Sequence, residues 1–439
     1  MSDKPRVSLV TLGCAKNIVD SEYLAGQFEA NGFIVAHEHL NDTDVLIINT
    51  CGFINDAKIE SIDTIMDSIE AKKNGQIKKL YVMGCLSKRY KTELEVEIPE
   101  VDGFFGVDEQ RSILNNLKAE FQKEYSHERI LYTPDHYAYL KIAEGCNRKC
   151  SFCSIPLIRG EYKSKPIENI KEQAAFLDEK GVKELNIIAQ DLSYYGYDLY
   201  KKYALADLLR ELSSSFSFKW LRLLYLYPNN FPTEILDVMK EYQNICNYLD
   251  IPFQHINEKV LKNMRRGINR KKTYELIELI KNKIPGASLR TTLLVGHPGE
   301  GDKEFRELLD FVKNIRFDRL GVFTYSEEEG TYSAQNYKDS IPKRIKQERA
   351  DQVMEVQQQI SLEKNRSKTG KKLEVLIDRE DEHNYFGRAE SDAPEVDNEI
   401  FFRKEKHSLQ VGSFYLADIK EAYEYDLVGE ILNEKPLKV

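Results

Sequence analysis

The chain has 439 residues, of which 41% are hydrophobic and 31% are charged, a composition typical of a soluble globular protein with two or three domains. A formal net charge of −9 argues against holding nucleic acid through bulk electrostatics, although a local basic patch could still bind phosphate. The N-terminal residues lack the apolar core of a signal peptide, and no segment reaches the roughly 20 apolar residues of a membrane span. We therefore expect a cytoplasmic protein without membrane contact.

The segment 1–130 alternates apolar runs with stretches of helical periodicity, which predicts a small parallel α/β domain. The predicted strands and helices are residues 7–12, 19–31, 45–49, 57–68 and 79–83. A cysteine directly follows each strand, at Cys14, Cys51 and Cys85. Because parallel strands end at one edge of a sheet, we expect the three thiols to converge there and bind an iron–sulfur cluster. The alternative is three buried cysteines with no ligand role.

The segment 135–368 repeats the alternation of strands and helices on a larger scale. Six strands and several helices are predicted, the strands at residues 139–143, 184–189, 220–225, 248–251, 288–295 and 319–325. Six βα units are too few to close an eight-stranded barrel, so we expect an open, partial (βα)6 TIM-like barrel. Its site should lie at the carboxyl ends of the strands, and a long polar helix at 343–368 should lead out of it.

The last segment, 370–439, changes to short β-type runs separated by charged turns, which predicts a small antiparallel β-barrel. The predicted strands are residues 373–377, 399–402, 413–419 and 425–431. Residues 371–439 hold ten Lys and Arg against seventeen Asp and Glu, a net charge of −7. An acidic domain repels phosphate and suits a basic protein partner, although an ordinary solvated surface is the alternative.

The central domain carries a CxxxCxxC motif formed by Cys146, Cys150 and Cys153. A cubane iron–sulfur cluster takes four ligands, so three thiolates leave one iron open to a substrate or cofactor. A structural zinc site would need a fourth Cys or His nearby, and the next cysteine, Cys246, lies in a different element. We expect Cys246 to be a buried structural thiol.

An open iron of this kind can hold S-adenosylmethionine by its amino and carboxylate groups and pass an electron to its sulfonium. We predict that Phe152 packs beside the adenine. Polar residues at or near strand ends should bind the rest of the cofactor, although each could instead be a loop residue that satisfies backbone groups; they are Gln190, Asp191, Gln254 and Arg290. No catalytic residue is predicted beyond the six cluster cysteines.

A run of basic residues lies at 265–272 in the central domain. Such a run is expected to be a solvated face, with contact to ribosomal RNA or another phosphate as the alternative.

The CxxxCxxC loop resembles that of the radical S-adenosylmethionine enzymes, and the three-part layout resembles the methylthiotransferases, whose last domain is a TRAM-type β-barrel. The resemblance covers essentially the full chain. Residues 11–22 and 49–54 are similar to the RimO branch, which modifies an aspartate of the twelfth small-subunit ribosomal protein, although Ala15 replaces a more usual proline. The tRNA-modifying MiaB branch has a Gln-Met pair where this chain has Ala15 and Lys16.

This resemblance implies two 4Fe-4S clusters, a radical cluster on the CxxxCxxC cysteines and an auxiliary cluster on Cys14, Cys51 and Cys85. It implies that S-adenosylmethionine serves both as methyl donor to sulfur and as source of a radical that takes hydrogen from the β-carbon of the aspartate. The implied partners are the basic ribosomal protein, free or within the small ribosomal subunit, and an electron donor such as flavodoxin or ferredoxin.

Two other functions remain as alternatives at this point. A tRNA adenosine methylthiotransferase would keep the same chemistry, but the charge of −7 on the last domain argues against a tRNA partner. A non-catalytic iron–sulfur scaffold or electron carrier would need closed, four-ligand clusters, and two sets of three cysteines argue against it.

Overall fold

The computed structural model describes residues 5–38, 43–125 and 127–437. They form an N-terminal α/β unit, a central α/β unit and a C-terminal β-barrel. None of the helices in these ranges combines the length and hydrophobicity needed to cross a bilayer.

The N-terminal unit is a parallel sheet with helices on both faces. Its elements are β1 (Arg6–Thr11), α1 (Ala15–Ala30), β2 (Ile34–His37), β3 (Thr43–Thr50), α2 (Asn55–Lys73), β4 (Ile77–Gly84), α3 (Cys85–Glu97), β5 (Gly103–Phe104) and α4 (Gln110–Asn116). The strand order is β2-β1-β3-β4-β5, and every pair is parallel. Successive residues of β3 serve opposite faces, with Ile47 in the core that includes α1 and Ile48 in the core that includes α2. Burial on both faces explains why the central strands are continuously apolar.

The central unit is a six-stranded, fully parallel sheet whose strand order is β13-β12-β11-β10-β9-β6, so neighbours in sequence are neighbours in space. Because β6 and β13 do not pair with each other, the barrel is open, and the predicted (βα)6 architecture is confirmed. Its strands are β6 (Tyr137–Lys141), β7 (Ala143–Glu144), β8 (Lys163–Ser164), β9 (Glu184–Ile188), β10 (Trp220–Leu223), β11 (Ile245–Asp250), β12 (Ser288–Val295) and β13 (Arg319–Thr324), of which β7 and β8 form a separate short ribbon.

Helices connect the strands of this sheet. They are α5 (Ile155–Arg159), α6 (Ile167–Glu179), α7 (Tyr197–Tyr200), α8 (Leu205–Ser215), α9 (Glu234–Glu241), α10 (Glu258–Asn263), α11 (Arg270–Lys283), α12 (Asp302–Ile315), α13 (Tyr332–Asn336) and α14 (Lys343–Arg366). The long helix α14 packs against α12 and β13 before the chain enters the last unit, as its polar sequence predicted.

The C-terminal unit is a closed five-stranded barrel with the order β14-β15-β16-β18-β17. Its strands are β14 (Lys372–Glu380), β15 (Asn384–Ala389), β16 (Ile400–Arg403), β17 (Phe414–Ala422) and β18 (Leu427–Ile431). The β-barrel prediction is confirmed, with two corrections. Strand β15 was not predicted, and β16 pairs with β18 in parallel, so the barrel is not wholly antiparallel.

A hydrophobic cluster inside the open barrel joins all three units. The ring of Trp220, on β10, meets the ring of Phe414, on β17, edge-on at 4.8 Å between centroids. Helix α1 contributes Ala15 and Val19 to the same cluster. Side chains from the units before and after it therefore pack into the interior of the open barrel. This packing brings the carboxyl ends of the N-terminal strands against the central unit.

Buried ion pairs hold the last unit to the start of the central strands. Glu184, on β9, accepts hydrogen bonds from Arg222 at 2.7 Å and from Arg388, on β15, at 2.6 Å. Arg319 donates from its Nε to Asp392 at 2.8 Å. A buried charge that loses its partner costs several kcal/mol of stability. These ion pairs therefore hold the last unit against the central unit.

Candidate iron–sulfur and cofactor site

The three N-terminal cysteines converge at the carboxyl edge of the first sheet. Cys14 caps helix α1 after β1, Cys51 follows β3, and Cys85 begins α3 directly after β4. Each of the other two thiols raises the pKa of Cys85 by charge repulsion, which places the three sulfurs within electrostatic reach of one another. The topology thus assembles this group, called here the N-terminal trio, from three separate strands.

Glycine at position 84 is required for the last of these cysteines to reach the trio. Gly84 has a φ of +103°, a conformation that residues with a side chain rarely adopt. A Cβ on Gly84 would also lie 2.5 Å from the carbonyl oxygen of Thr50 on the neighbouring strand. The close approach of β3 and β4 therefore depends on the missing side chain.

Burial raises the pKa of both Cys51 and Cys85, that of Cys85 to about 12, with Arg159 opposing the shift in each case. Metal ligation requires the thiolate form, so a positive charge beside the trio favours the binding-competent state. The Arg159 guanidinium supplies that charge, with one nitrogen 3.5 Å from the sulfur of Cys85.

The CxxxCxxC cysteines, called here the central trio, occupy the loop between β7 and α5. Backbone hydrogen bonds fold this loop, from the Cys153 amide to the Cys150 carbonyl at 3.2 Å and from the Ser151 amide to the Met264 carbonyl at 2.9 Å. Burial raises the pKa of Cys146 to about 12 and raises that of Cys153 further. Repulsion between the thiols adds to both shifts, as expected for ligands that share one site.

A second buried arginine, Arg266, contacts the central trio. Arg266 is 4% exposed and donates to the sulfur of Cys150 at 3.2 Å, while the hydroxyl of Tyr227 lies 3.5 Å from the same sulfur. The expectation that the whole basic run is a solvated face is therefore wrong for Arg266. Its neighbour Arg265 is exposed, so the two arginines point to opposite sides of the chain at the end of α10.

Arg159 connects the two trios. It lies at the end of α5, directly after the central trio, and donates to Asn17 at 2.6 Å, to Asp20 at 3.0 Å and to Glu144 at 2.9 Å. Asn17 and Asp20 belong to α1, the helix that begins beside Cys14. The loop of the central unit and the first helix of the N-terminal unit are therefore locked together by one buried guanidinium.

Lys16 is a further buried cation at this junction. Its ammonium lies 2.9 Å from the centroid of the Tyr225 ring, a cation–π contact. Burial lowers the pKa of Lys16 to about 8, which leaves the ammonium largely charged near pH 7. The sequence reading did not single out Lys16 as a binding residue, although its position two residues after a predicted ligand could have marked it.

Four of the five predicted cofactor residues lie near the central trio. Phe152 is half-buried against Val260, Met264, Leu294 and Tyr325. Gln190 donates to Glu144 at 2.6 Å, and its side-chain oxygen is buried without a hydrogen-bond partner among the described residues. A buried acceptor without a hydrogen-bond partner lowers the stability of the fold. The Gln190 oxygen is therefore suited to accept a hydrogen bond from a bound molecule.

Asp191 and Gln254 differ in how well they are satisfied. Asp191 caps the turn at Leu192–Tyr194 and binds Arg148 at 2.6 Å, so its carboxylate has protein partners. Gln254 has a φ of +70°, unusual for a residue with a side chain; its backbone amide donates to Thr292 at 2.9 Å, while its side-chain amide has no hydrogen-bond partner among the described residues. Strain of this kind is typical of residues held in place for a ligand.

The structure does not bring Arg290 into this group. Arg290 is the third residue of β12 and lies toward the start of the strand, where it pairs with Asp250 at 3.2 Å and with Asp397 of the last unit at 3.3 Å. Its guanidinium is committed to joining two units. The sequence could not indicate this pairing, because Asp397 lies more than a hundred residues away, and cofactor binding by Arg290 stays a prediction.

The donors present fit clusters better than single ions. No three His, Cys, Asp or Glu side chains in the described ranges are arranged to hold one metal ion. A cubane binds each thiolate through a different iron, so its ligands need not meet around one point. Two sets of three thiols, each with an arginine at one sulfur, are the donor chemistry of that kind of cluster.

Comparison with known families and relatives agrees with this arrangement. Residues 140–312 match the radical SAM superfamily, residues 6–106 match an uncharacterized protein family, UPF0004, and residues 369–432 match the TRAM domain. Relatives described as ribosomal protein uS12 methylthiotransferase RimO include one from Bacteroides fragilis, 50% identical over 97% of this chain and 99% of its own. Another, from Cytophaga hutchinsonii, is 51% identical over 98% of this chain and 99% of its own.

Among solved structures, the chain is similar to the radical S-adenosylmethionine methyltransferase TsrM from Kitasatospora setae, with a TM-score of 0.55 at 14% identity over 76% of this chain and 77% of that one. At this identity the likeness shows the fold alone. The full-length relatives at about half identity decide the family: the chain belongs to the RimO family of radical S-adenosylmethionine methylthiotransferases.

Proposed function

We propose that this protein joins a methylthio group to the β-carbon of an aspartate of ribosomal protein uS12. Membership of the radical SAM superfamily implies a 4Fe-4S cluster and S-adenosylmethionine. The observation that carries the finer assignment is the convergence of the N-terminal trio against the central trio through Arg159, which contacts Cys85 and belongs to the helix that follows Cys153. A radical formed on carbon must meet its sulfur donor at once, and two adjoining sites provide this proximity.

In this proposal Cys146, Cys150 and Cys153 hold the radical cluster, and Cys14, Cys51 and Cys85 hold an auxiliary 4Fe-4S cluster. When bound, the radical cluster would pass on the electron that cleaves S-adenosylmethionine, and the auxiliary cluster would carry the incoming sulfur that is methylated and transferred. An external reductant such as flavodoxin or ferredoxin supplies the electron.

The protein's own residues position and shield these groups. Arg266 and Tyr227 hold the Cys150 sulfur, and the buried Gln190 oxygen, which has no partner among the described residues, orients the cofactor together with the Gln254 side chain. Phe152 packs over the loop and excludes water. The acidic TRAM unit, with its net charge of −7, favours a basic protein such as a ribosomal protein over tRNA.

Iron content and two alanine variants test the assignment of the trios. Anaerobically reconstituted wild-type protein should hold about eight irons per chain, and Cys51→Ala or Cys150→Ala about four. Cys150→Ala should abolish cleavage of S-adenosylmethionine, whereas Cys51→Ala should keep cleavage and lose sulfur insertion. Methylthiolated product from Cys51→Ala would refute the proposed division of labour.

Intact-mass analysis of ribosomal proteins from a deletion strain tests the substrate. We expect uS12 to lose the mass of one methylthio group while modified tRNA nucleosides stay unchanged. An unchanged uS12 together with altered tRNA would assign the chain to the tRNA-modifying chemistry instead.

A further inference from the structure

Lys16 is a buried cation that the proposed chemistry has not yet used. It is 7% exposed, and its ammonium forms no hydrogen bond or ion pair with any residue in the described ranges. The ammonium lies over the π-face of Tyr225, 2.9 Å from the centroid of its ring. Lysine is rarely buried without a partner, because removing its charge from water is costly.

The position of Lys16 in its helix adds to that cost. It is the second residue of α1, where the positive end of the helix dipole disfavours a cation. The two carboxylates nearest to it are already engaged. Asp250 pairs with Arg290 at 3.2 Å, and Glu144 pairs with Arg159 at 2.9 Å. Neither carboxylate is therefore free to pair with the ammonium, and the other group that attracts it is the thiol of Cys14.

The backbone beneath Lys16 is strained as well. Tyr225 has a φ of +69°, and this conformation is held from both sides. Its amide donates to the Asp250 carboxylate at 3.0 Å, and its carbonyl accepts from the Leu192 amide at 3.1 Å. Strained residues persist where the surroundings fix them, commonly at ligand sites. The strained backbone of Tyr225 and the ammonium of Lys16, which lacks a hydrogen-bond partner, are two independent features that indicate a ligand site here.

This place lies between the two trios. Lys16 is two residues after Cys14 in the chain. Tyr225, whose ring the ammonium contacts, is two residues before Tyr227, whose hydroxyl lies 3.5 Å from the Cys150 sulfur. A group bound by Lys16 therefore sits beside the N-terminal trio and faces the central one. A substrate carbon must occupy such a position to meet both a radical and a sulfur donor.

We propose that Lys16 binds the side-chain carboxylate of the substrate aspartate and so fixes its β-carbon between the trios, an inference that rests on the proposed function. A carboxylate supplies the hydrogen-bonding partner that Lys16 lacks among the described side chains, and its adjacent methylene is the carbon to be modified. S-adenosylmethionine also carries a carboxylate, but Lys16 adjoins Cys14 of the N-terminal trio, while the open iron that would chelate the cofactor belongs to the central trio. The geometry favours the protein carboxylate.

Binding of purified uS12 to the reconstituted enzyme tests this role. The variants are Lys16→Met, which keeps the length of the side chain, and Lys16→Arg, which keeps the charge. The control is Lys183→Met, because Lys183 is a partly buried lysine just before β9 and donates to the carbonyl of Gly412 in the last unit. The ligands are uS12 and its variant with asparagine in place of the target aspartate.

We expect the wild-type enzyme to bind uS12 roughly ten- to a hundredfold more tightly than the asparagine variant, as for a hydrogen-bonded charge pair. In Lys16→Met this ratio of affinities should fall to about one, while Lys16→Arg and Lys183→Met should keep most of it. Iron content and affinity for S-adenosylmethionine are measured in every variant, so that loss of a cluster or of the cofactor is distinguished from loss of aspartate binding.

Three outcomes would overturn the inference in distinguishable ways. If the wild-type enzyme neither binds nor modifies uS12, the proposed function itself fails. If it modifies uS12 and Lys16→Met still prefers aspartate over asparagine, only the role of Lys16 is refuted. If Lys16→Met instead loses affinity for S-adenosylmethionine, Lys16 binds the carboxylate of the cofactor and the inference is wrong.

Discussion

The guanidinium of Arg159 lies 3.5 Å from the sulfur of Cys85, although the two residues belong to different units of the protein. Both are buried, and Arg159 stands directly after the central trio. A charged donor at a ligand sulfur stabilises the more negative, reduced state of an iron–sulfur cluster. This contact is therefore a physical means by which the central unit sets the electronic properties of the N-terminal site.

Substitution of Arg159 by glutamine should lower the reduction potential of the auxiliary cluster on the order of tens of millivolts, because both the charge and the N–H···S contact are lost. The measurement is a redox titration followed by electron paramagnetic resonance in the Cys150→Ala background, where only the auxiliary cluster is present. Arg159→Lys should show a smaller shift, since it keeps the charge. A potential equal to that of the parent in both variants would contradict the role of this contact.

Arg266 allows a matched test at the other trio. Arg266→Gln should lower the potential of the radical cluster and slow formation of 5′-deoxyadenosine at a fixed reductant potential, because Arg266 donates to Cys150 at 3.2 Å. The neighbouring Arg265→Gln is the control, since that side chain is exposed. Equal rates and potentials in the two variants would show that burial beside Cys150 has no electronic consequence.

Gly84 provides a test of the backbone that shapes the N-terminal trio. Gly84→Ala should reduce iron from about eight to about four per chain, since a side chain at a φ of +103° and 2.5 Å from the Thr50 carbonyl displaces Cys85. The strain is worth about 1–3 kcal/mol. Gly321→Ala is the control, because no atom lies within 4 Å of the added methyl group. Full iron loading of Gly84→Ala would show that the strand edge tolerates this displacement.

Local sequence pattern was enough to predict the trios. Strand–helix alternation placed Cys14, Cys51 and Cys85 at one sheet edge because parallel strands must end together. The spacing of the CxxxCxxC motif needed no tertiary information at all. The open barrel followed in the same way from counting six strands with helices between them.

Contacts between units could not be read from the sequence. Lys16, Arg159 and Arg266 acquire their significance from partners in other elements, and local sequence carries no record of such pairing. Arg290 illustrates the converse, since it sits on a predicted strand of the cofactor domain and yet pairs with Asp397 of the last unit. The sequence of the basic run 265–272 likewise could not show that Arg266 is buried, because burial depends on the elements packed against the run.

The ion pair between Arg319 and Asp392 should make docking of the last unit depend on pH. Burial alone would raise the pKa of Asp392, but Arg319 and Lys368 outweigh it and lower the value from 3.8 to about 2. A carboxyl group whose pKa is lower in the folded state stabilises that state above its unfolded pKa, and this contribution is lost as the pH falls through the folded pKa. The shift corresponds to about 2 kcal/mol near pH 7 that disappears between about pH 4 and pH 2.

Fluorescence of Trp220 can report this docking, because it is the chain's single tryptophan and packs on Phe414 of the last unit. Asp392→Asn should lower the urea midpoint followed by Trp220 near pH 7, and the difference from wild type should shrink as the pH approaches 3. Glu405→Gln is the control, since Glu405 lies exposed in a turn of the same unit. If the difference between the two urea midpoints stays constant over this pH range, protonation of Asp392 does not affect docking. The Asp392 carboxylate would then not hold the two units together.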